Sequence, residues 1–162
     1  MSAVTPLNKG TIVVEGGALV AAEPAQVLEF VLDVDRYRQA DHKIRRVRQL
    51  ERHGDDVVVA MWTRVRGVPV AARQRMHLTP GERIDVYNEP SWQDRFTGFH
   101  GEFICQGAPG GTEVTHRYTF TFKGPARAVA PLLRGWLAHD IEQEVVRLAA
   151  IFARGPGSDP LS

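Results

Sequence analysis

From Ile44 to Phe122 apolar and polar residues alternate with period two, and short turn signals cut the alternation into pieces. Val57, Val59, Met61, Thr63 and Val65 form one such face. Val68, Val70, Ala72, Gln74, Met76 and Leu78 form a second, and Val114, His116, Tyr118, Phe120 and Phe122 a third. Each is a strand with one buried and one wet face. Gly54-Asp55-Asp56, Arg66-Gly67-Val68-Pro69, Pro80-Gly81, Glu89-Pro90-Ser91 and Gly107–Gly111 are the turns. Strands this close, joined this tightly, form an antiparallel meander. A sheet with one apolar face needs a cover, and the sequence offers one. Beyond Gly124-Pro125, Val129, Leu132, Leu133, Trp136, Leu137, Ile141, Val145, Leu148, Ala149 and Phe152 make a stripe at helical spacing. Asp140, Glu142, Glu144 and Arg147 are assigned to the other faces of that helix. It would be on the order of 40 Å long.

Ahead of the meander, Thr11–Val20 reads as a strand. Glu23-Pro24 then opens a short helix carrying Val27, Leu28, Val31 and Leu32. Asp33–Ala40 reads as a second, with Asp33 or Asp35 as N-cap. The whole is an α+β chain: an antiparallel sheet of about seven strands wrapped around a long C-terminal helix, with two short helices after strand 1. One domain is expected over 9–154, with 155–162 as a flexible tail and residues 1–8 as a loose start.

With 162 residues such a chain can bury a core without staples. The single Cys105 excludes an internal disulfide and a Cys-rich zinc site. A net charge of +1 gives no reason to expect a nucleic-acid partner. No apolar run approaches the roughly 18 residues of a membrane span, and the first ten residues contain no signal core. A cytoplasmic location is the default. Arg far outnumbers Lys, which occurs only at Lys9, Lys43 and Lys123, as in GC-rich bacterial genomes.

Three stretches resemble the START-like (SRPBCC) superfamily of polyketide cyclase/dehydrase and lipid-transport proteins, over roughly residues 10–153. They are Val20–Tyr37, Gly110-Gly-Thr-Glu-Val-Thr-His116 and the closing helix. Where the family often has Pro and Trp after the Tyr37 position, this chain has Arg38-Gln39-Ala40. The resemblance implies a helix-grip fold enclosing a cavity between sheet and helix. It implies binding or transport of a hydrophobic small molecule such as a lipid, isoprenoid or polyketide. The alternative is a cyclase/aromatase-type enzyme, and fold alone does not choose.

Inward positions nominate the cavity wall: Met61, Gln74, Met76, Phe99, Phe103, His116, Tyr118, Leu133, Trp136 and Leu137, with Asp140 at the rim. Met61 and Met76 suit an adaptable apolar wall. Gln74 interrupts an apolar face, and a ligand carbonyl, a water or Tyr118 would satisfy it. In the 92–106 strand, Phe99, Phe103 and Cys105 are taken as inward, because the other parity holds Asp94, His100 and Glu102. A bulge at Gly98 or Gly101 could switch the faces. Arg95 then points into the cavity, to hold an anion or to pair with Asp94, Glu102 or Asp140. The catalytic candidates are His116, Tyr118 and Arg95; His116 and Tyr118 could move protons or form a structural pair. His139 is assigned to a solvated face.

Nothing nominates a metal or a cofactor: the sequence lacks Gly-x-Ser-x-Gly, His-Glu-x-x-His, a phosphate loop and a dinucleotide fingerprint. Arg36, Arg38, Lys43, Arg45, Arg46, Arg48 and Arg52 form a basic stretch. It reads as an exposed face balanced by acids, or as a dock for an acidic carrier protein or an anionic membrane surface. A weak homodimer is the remaining partner expectation.

Overall fold

A computed structural model describes residues 10–155. The expectations for residues 1–8 and for the tail beyond Gly155 lie outside the described residues. Strand β1 (Thr11–Val20) leads into α1 (Pro24–Leu32) and α2 (Val34–Tyr37). Six strands follow: β2 (Ile44–His53), β3 (Asp56–Val65), β4 (Val68–Thr79), β5 (Arg83–Asn88), β6 (Thr97–Ala108) and β7 (Gly111–Phe122). Helix α3 (Ala130–Ala153) closes the fold. The seven strands form one sheet in the order β1-β7-β6-β5-β4-β3-β2. Every neighbouring pair is antiparallel. This is the helix-grip arrangement.

Each start and stop has a local cause. Pro24 sits in the first turn of α1, where its missing N–H costs nothing. Asp33 caps α2, its Oδ1 accepting from Arg36 N at 3.4 Å. That helix is only one turn long, shorter than the Asp33–Ala40 reading. Pro131 lies in the first turn of α3, where its missing N–H removes no intrahelical bond. Its 24 residues span about 36 Å.

The helix lies against β1 and β7 at very short range. A Cβ on Gly16 would sit 3.0 Å from the Ile141 carbonyl oxygen. Two apolar groups result. Ile12, Val14, Tyr118, Phe122, Leu137 and Ile141 pack beneath the first half of α3. The larger group joins α1 and α2 to the inner faces of β3 to β7, and Leu148 belongs to it. Val129 and Leu132, read into the apolar stripe, are exposed.

The 92–106 segment is not one strand. Trp92–Arg95 forms a 3₁₀ helix, with Ser91 and Asp94 as a reciprocal cap. Ser91 Oγ accepts from Gln93 N at 3.2 Å, and Asp94 Oδ2 accepts from Ser91 N at 2.8 Å. From Thr97 onward the pairing with β7 is unbroken, so no bulge switches the faces. Phe103 and Cys105 are buried and Phe99 half-buried, on the inner face.

Candidate functional site

Between α3 and the sheet lies a cavity of about 570 Å³. Met61, Gln74, Met76, Phe99, Phe103, His116, Tyr118, Leu133, Trp136 and Leu137 all line it. The structure therefore brings together every nominated wall residue except Arg95 and Asp140. Arg95 requires a correction. Period-two parity cannot be carried through a 3₁₀ turn, and Arg95 ends that turn exposed to solvent. Asp140 stands just outside the wall, bonded to a residue that belongs to it. Gln74 finds its partner across β4 and β5, donating from Nε2 to Asn88 Oδ1 at 3.2 Å. Arg48, Arg73 and Trp92 are lining residues at the exposed mouth.

The inner end of the cavity is charged. Glu144 is fully buried there, not on an outer face of α3 as its charge suggested. Its carboxylate accepts a very short hydrogen bond from the Tyr37 hydroxyl. It accepts a second from Tyr118 Oη at 3.0 Å and a third from Lys43 Nζ at 3.2 Å. His116 Nδ1 stands 3.2 Å from Glu144 Oε1, within ion-pairing range but out of line for a hydrogen bond. Its ring stacks on Phe103 at 3.7 Å and meets Tyr118 edge-on at 4.5 Å. Lys43 also touches Asp41 Oδ1 at 2.9 Å and forms a very short bond to Asp140. Lys43 thus leaves the basic stretch and folds inward. Arg36, Arg38, Arg45, Arg46, Arg48 and Arg52 stay exposed; Arg52 pairs with Glu29 at 2.6 Å and Arg38 with Asp35 at 3.3 Å.

The network sets its own protonation. Burial pushes the Glu144 carboxyl up, but the Lys43 ammonium beside it reverses this and holds it well below the usual carboxylate range. Burial lowers Lys43, and the neighbouring Glu144, Tyr118 and Asp41 more than restore it, leaving it above its ordinary value. Burial and the Glu144 charge push both Tyr37 and Tyr118 well above the usual phenol range. Burial, then the Glu144 charge, raise Asp41 to about 6 against the opposing Lys43. Burial also pushes the Cys105 thiol up to about 11, which makes it a poor nucleophile.

Oxygens of Asp41, Asp140 and Glu144 lie within 4.8 Å of one another, close enough to share a metal ion. Lys43 Nζ already bridges all three. Asp85, His100 and Glu102 gather similarly on the outer face. There Arg83 binds Asp85 and Glu102, each at 2.6 Å, and His100 Nε2 lies 2.9 Å from Asp85. Each acidic group is therefore already matched by a basic side chain.

Residues 11–153 match the family described as polyketide cyclase/dehydrase and lipid transport. The chain belongs to that family. The helix-grip fold also recurs in solved structures. The di-domain aromatase/cyclase StfQ of the steffimycin biosynthetic pathway aligns with a TM-score of 0.73 at 18% identity, over 92% of this chain and 53% of that one. This chain therefore spans about half of that di-domain protein. The Zhui aromatase/cyclase from Streptomyces sp. R1128 aligns at 0.68 and 20% identity, over 89% of this chain and 93% of its own. A START superfamily protein from Mycobacterium smegmatis aligns at 0.71 and 17% identity, over 88% and 97%. At such identities these structures establish the fold alone. No curated protein sequence matches the chain. Among the described residues no helix is long and apolar enough to cross a membrane.

Sequence reasoning found His116 and Tyr118 but missed Tyr37, Asp41, Lys43 and Glu144. A signal for Glu144 was present. It stands seven residues after Leu137, three after Ile141 and four before Leu148, on the stripe that faces the sheet.

Proposed function

We propose that this protein binds or transports one small hydrophobic molecule, of lipid, isoprenoid or polyketide type, in the cavity between α3 and the sheet. The observation that carries this reading is the cavity itself: about 570 Å³, with a wall rich in Met, Phe, Leu and Trp side chains and only a few polar groups, among them Thr63 and Gln74, set into it between the charged inner end and the mouth. Ligand sites commonly combine an apolar wall with a few convergent polar groups. The family match, which includes lipid transport, supports it. A cytoplasmic location and a weak homodimer or an acidic carrier protein as partner belong to the same reading.

A cyclase-type enzyme is the second reading. It is favoured by Asp41, whose carboxyl is brought to about 6 on the wall that also carries His116 and Tyr118. A general acid or base works best with a pKa near the working pH. The aromatase/cyclase names of two structural neighbours support it.

Native mass spectrometry of the protein purified from its own host, with extraction of any bound molecule, tests the first reading. A bound hydrophobic compound in one-to-one ratio is the expected result. A protein that is empty, and that takes up no apolar probe, overturns it. The second reading is tested by assaying polyketide turnover with His116→Ala/Tyr118→Phe. Turnover at the wild-type rate removes those two residues from any catalytic role.

A further inference from the structure

The inner end of the cavity has almost no hydrogen-bond donor left to offer. Ionised Glu144 can only accept, so the hydroxyls of Tyr37 and Tyr118 both point their protons at it. Each phenol oxygen can then turn only lone pairs towards the cavity. Lys43 has three N–H groups, and three carboxylates surround them: Asp41, Asp140 and Glu144. His116 is the one group here whose tautomer no hydrogen bond fixes, because its Nδ1 stands 3.2 Å from Glu144 Oε1 but out of line for one. On the wall above, Thr63 Oγ1 already donates to the Val70 carbonyl at 3.0 Å. The charge balance points the same way. The buried carboxylates of Asp41 and Glu144 and the partly buried one of Asp140 stand against the single ammonium of Lys43, while the cationic side chains Arg48 and Arg73 lie at the exposed mouth.

We propose that the ligand end that reaches the Tyr37–Tyr118–Glu144 cluster is a hydrogen-bond donor, an alcohol or phenol hydroxyl, and not a carboxylate, ether or bare carbonyl. A hydroxyl gives its proton to a phenol oxygen and brings no negative charge. An ether or ketone would face acceptors with acceptors, and its desolvation would go unmatched. A carboxylate would add a fourth negative charge to a group of three, two of them buried. The proposal rests on the cavity being a binding site, and it adds the chemistry of the ligand's inner end. The aromatic wall formed by Phe99, Phe103 and Trp136 suits an aromatic ring system carrying that hydroxyl.

The test is isothermal titration calorimetry of the full chain near neutral pH with 2-naphthol, 2-methoxynaphthalene and 2-naphthoate. These three share a ring and differ only in the polar group. The expected result is that 2-naphthol binds about ten-fold more tightly than either of the others. Glu144→Gln frees the phenol protons and supplies an amide donor, so the preference for 2-naphthol over the ether should fall to about two-fold or less. Tyr118→Phe removes one acceptor and should narrow the preference in the same direction, which keeps the test available if the buried Glu144 variant does not fold. Equal affinity for naphthol and its ether, tighter naphthoate, or an undiminished preference in the variants overturns the proposal while leaving the cavity a binding site. Failure of all three compounds to bind overturns the binding reading and this proposal with it.

Discussion

Asp41 and Glu144 share one buried network, yet their surroundings give them opposite dependence on pH. Glu144 is held below its ordinary value, so its contribution is complete above about pH 4.5 and is lost as pH falls below that. Asp41 is raised from 3.8 to about 6. Between those values the folded chain keeps a proton that the unfolded chain has released, so stability falls as pH rises through the window. At neutral pH the ionised Asp41 therefore costs on the order of 1–3 kcal/mol. Asp41→Asn should be more stable than wild type near pH 7.5, with the gain shrinking towards pH 4. Urea denaturation at the two pH values checks this, and a variant less stable than wild type at pH 7.5 would show that the Lys43 contact outweighs burial. Glu144→Gln should go the other way, losing about 3 kcal/mol near neutral pH, because it strips Lys43 of its most buried partner. The same denaturation series measures it. The two residues also show why the polar cluster was hard to see in the sequence. His116 and Tyr118 could be found because strand parity places a side chain whatever its polarity. Glu144 and Lys43 break the usual pairing of charge with solvent, and only tertiary contact between α3 and the start of β2 brings them together.

At the scale of elements, the seating of α3 on β1 decides where Glu144 lands. Gly16 pairs with His116 in the sheet, and a Cβ there would lie 3.0 Å from the Ile141 carbonyl oxygen and 3.3 Å from Glu142 Cα. Both obstacles are backbone and cannot rotate away. Gly16→Ala should push the helix outward by a few tenths of an ångström and lower stability by about 1–3 kcal/mol. Because Glu144 lies three residues beyond Ile141, the same shift should weaken binding of a cavity probe. Gly17→Ala is the control. It is exposed, and its added Cβ meets only the Val114 carbonyl oxygen at an ordinary 3.5 Å, so it should be neutral or slightly stabilising. Chemical denaturation of both variants checks the pair, and equal effects would mean that helix and strand are not in hard contact. Most elements could be read in advance because period two and period 3.6 are properties of local sequence. The exception is instructive. Ser91-Trp92-Gln93-Asp94 carries a reciprocal cap, which bends the chain before β6 begins and takes Arg95 out of register with Phe99. A parity count cannot register a cap, although the serine and aspartate three residues apart were in plain view.

For the molecule as a whole, the sheet and helix enclose space that their own side chains leave unfilled. Ala72 marks where. It lies opposite Met61 in the β3–β4 pairing, half-buried on the cavity wall, with inward neighbours Val70 and Gln74 on its own strand. Ala72 borders both the larger apolar group and the cavity, so a larger side chain there has the cavity to extend into. Ala72→Phe should therefore raise the stability of the ligand-free protein by about 1 kcal/mol, since the ring buries apolar surface without overpacking. It should also cost at least about ten-fold in affinity for any ligand that uses the cavity. The ligand should act on wild type as the ring acts on the variant. A compound present at about 100 times its Kd should add about 2.7 kcal/mol, seen as a rise in Tm that the variant does not share. Thermal denaturation with and without ligand measures both effects in one experiment. If Ala72→Phe leaves the ligand-induced rise intact, the bound molecule sits elsewhere, and the exposed arginines of β2 become the place to look. If the rise disappears while stability without ligand is kept or improved, the empty space between α3 and the sheet is what the fold maintains for its ligand.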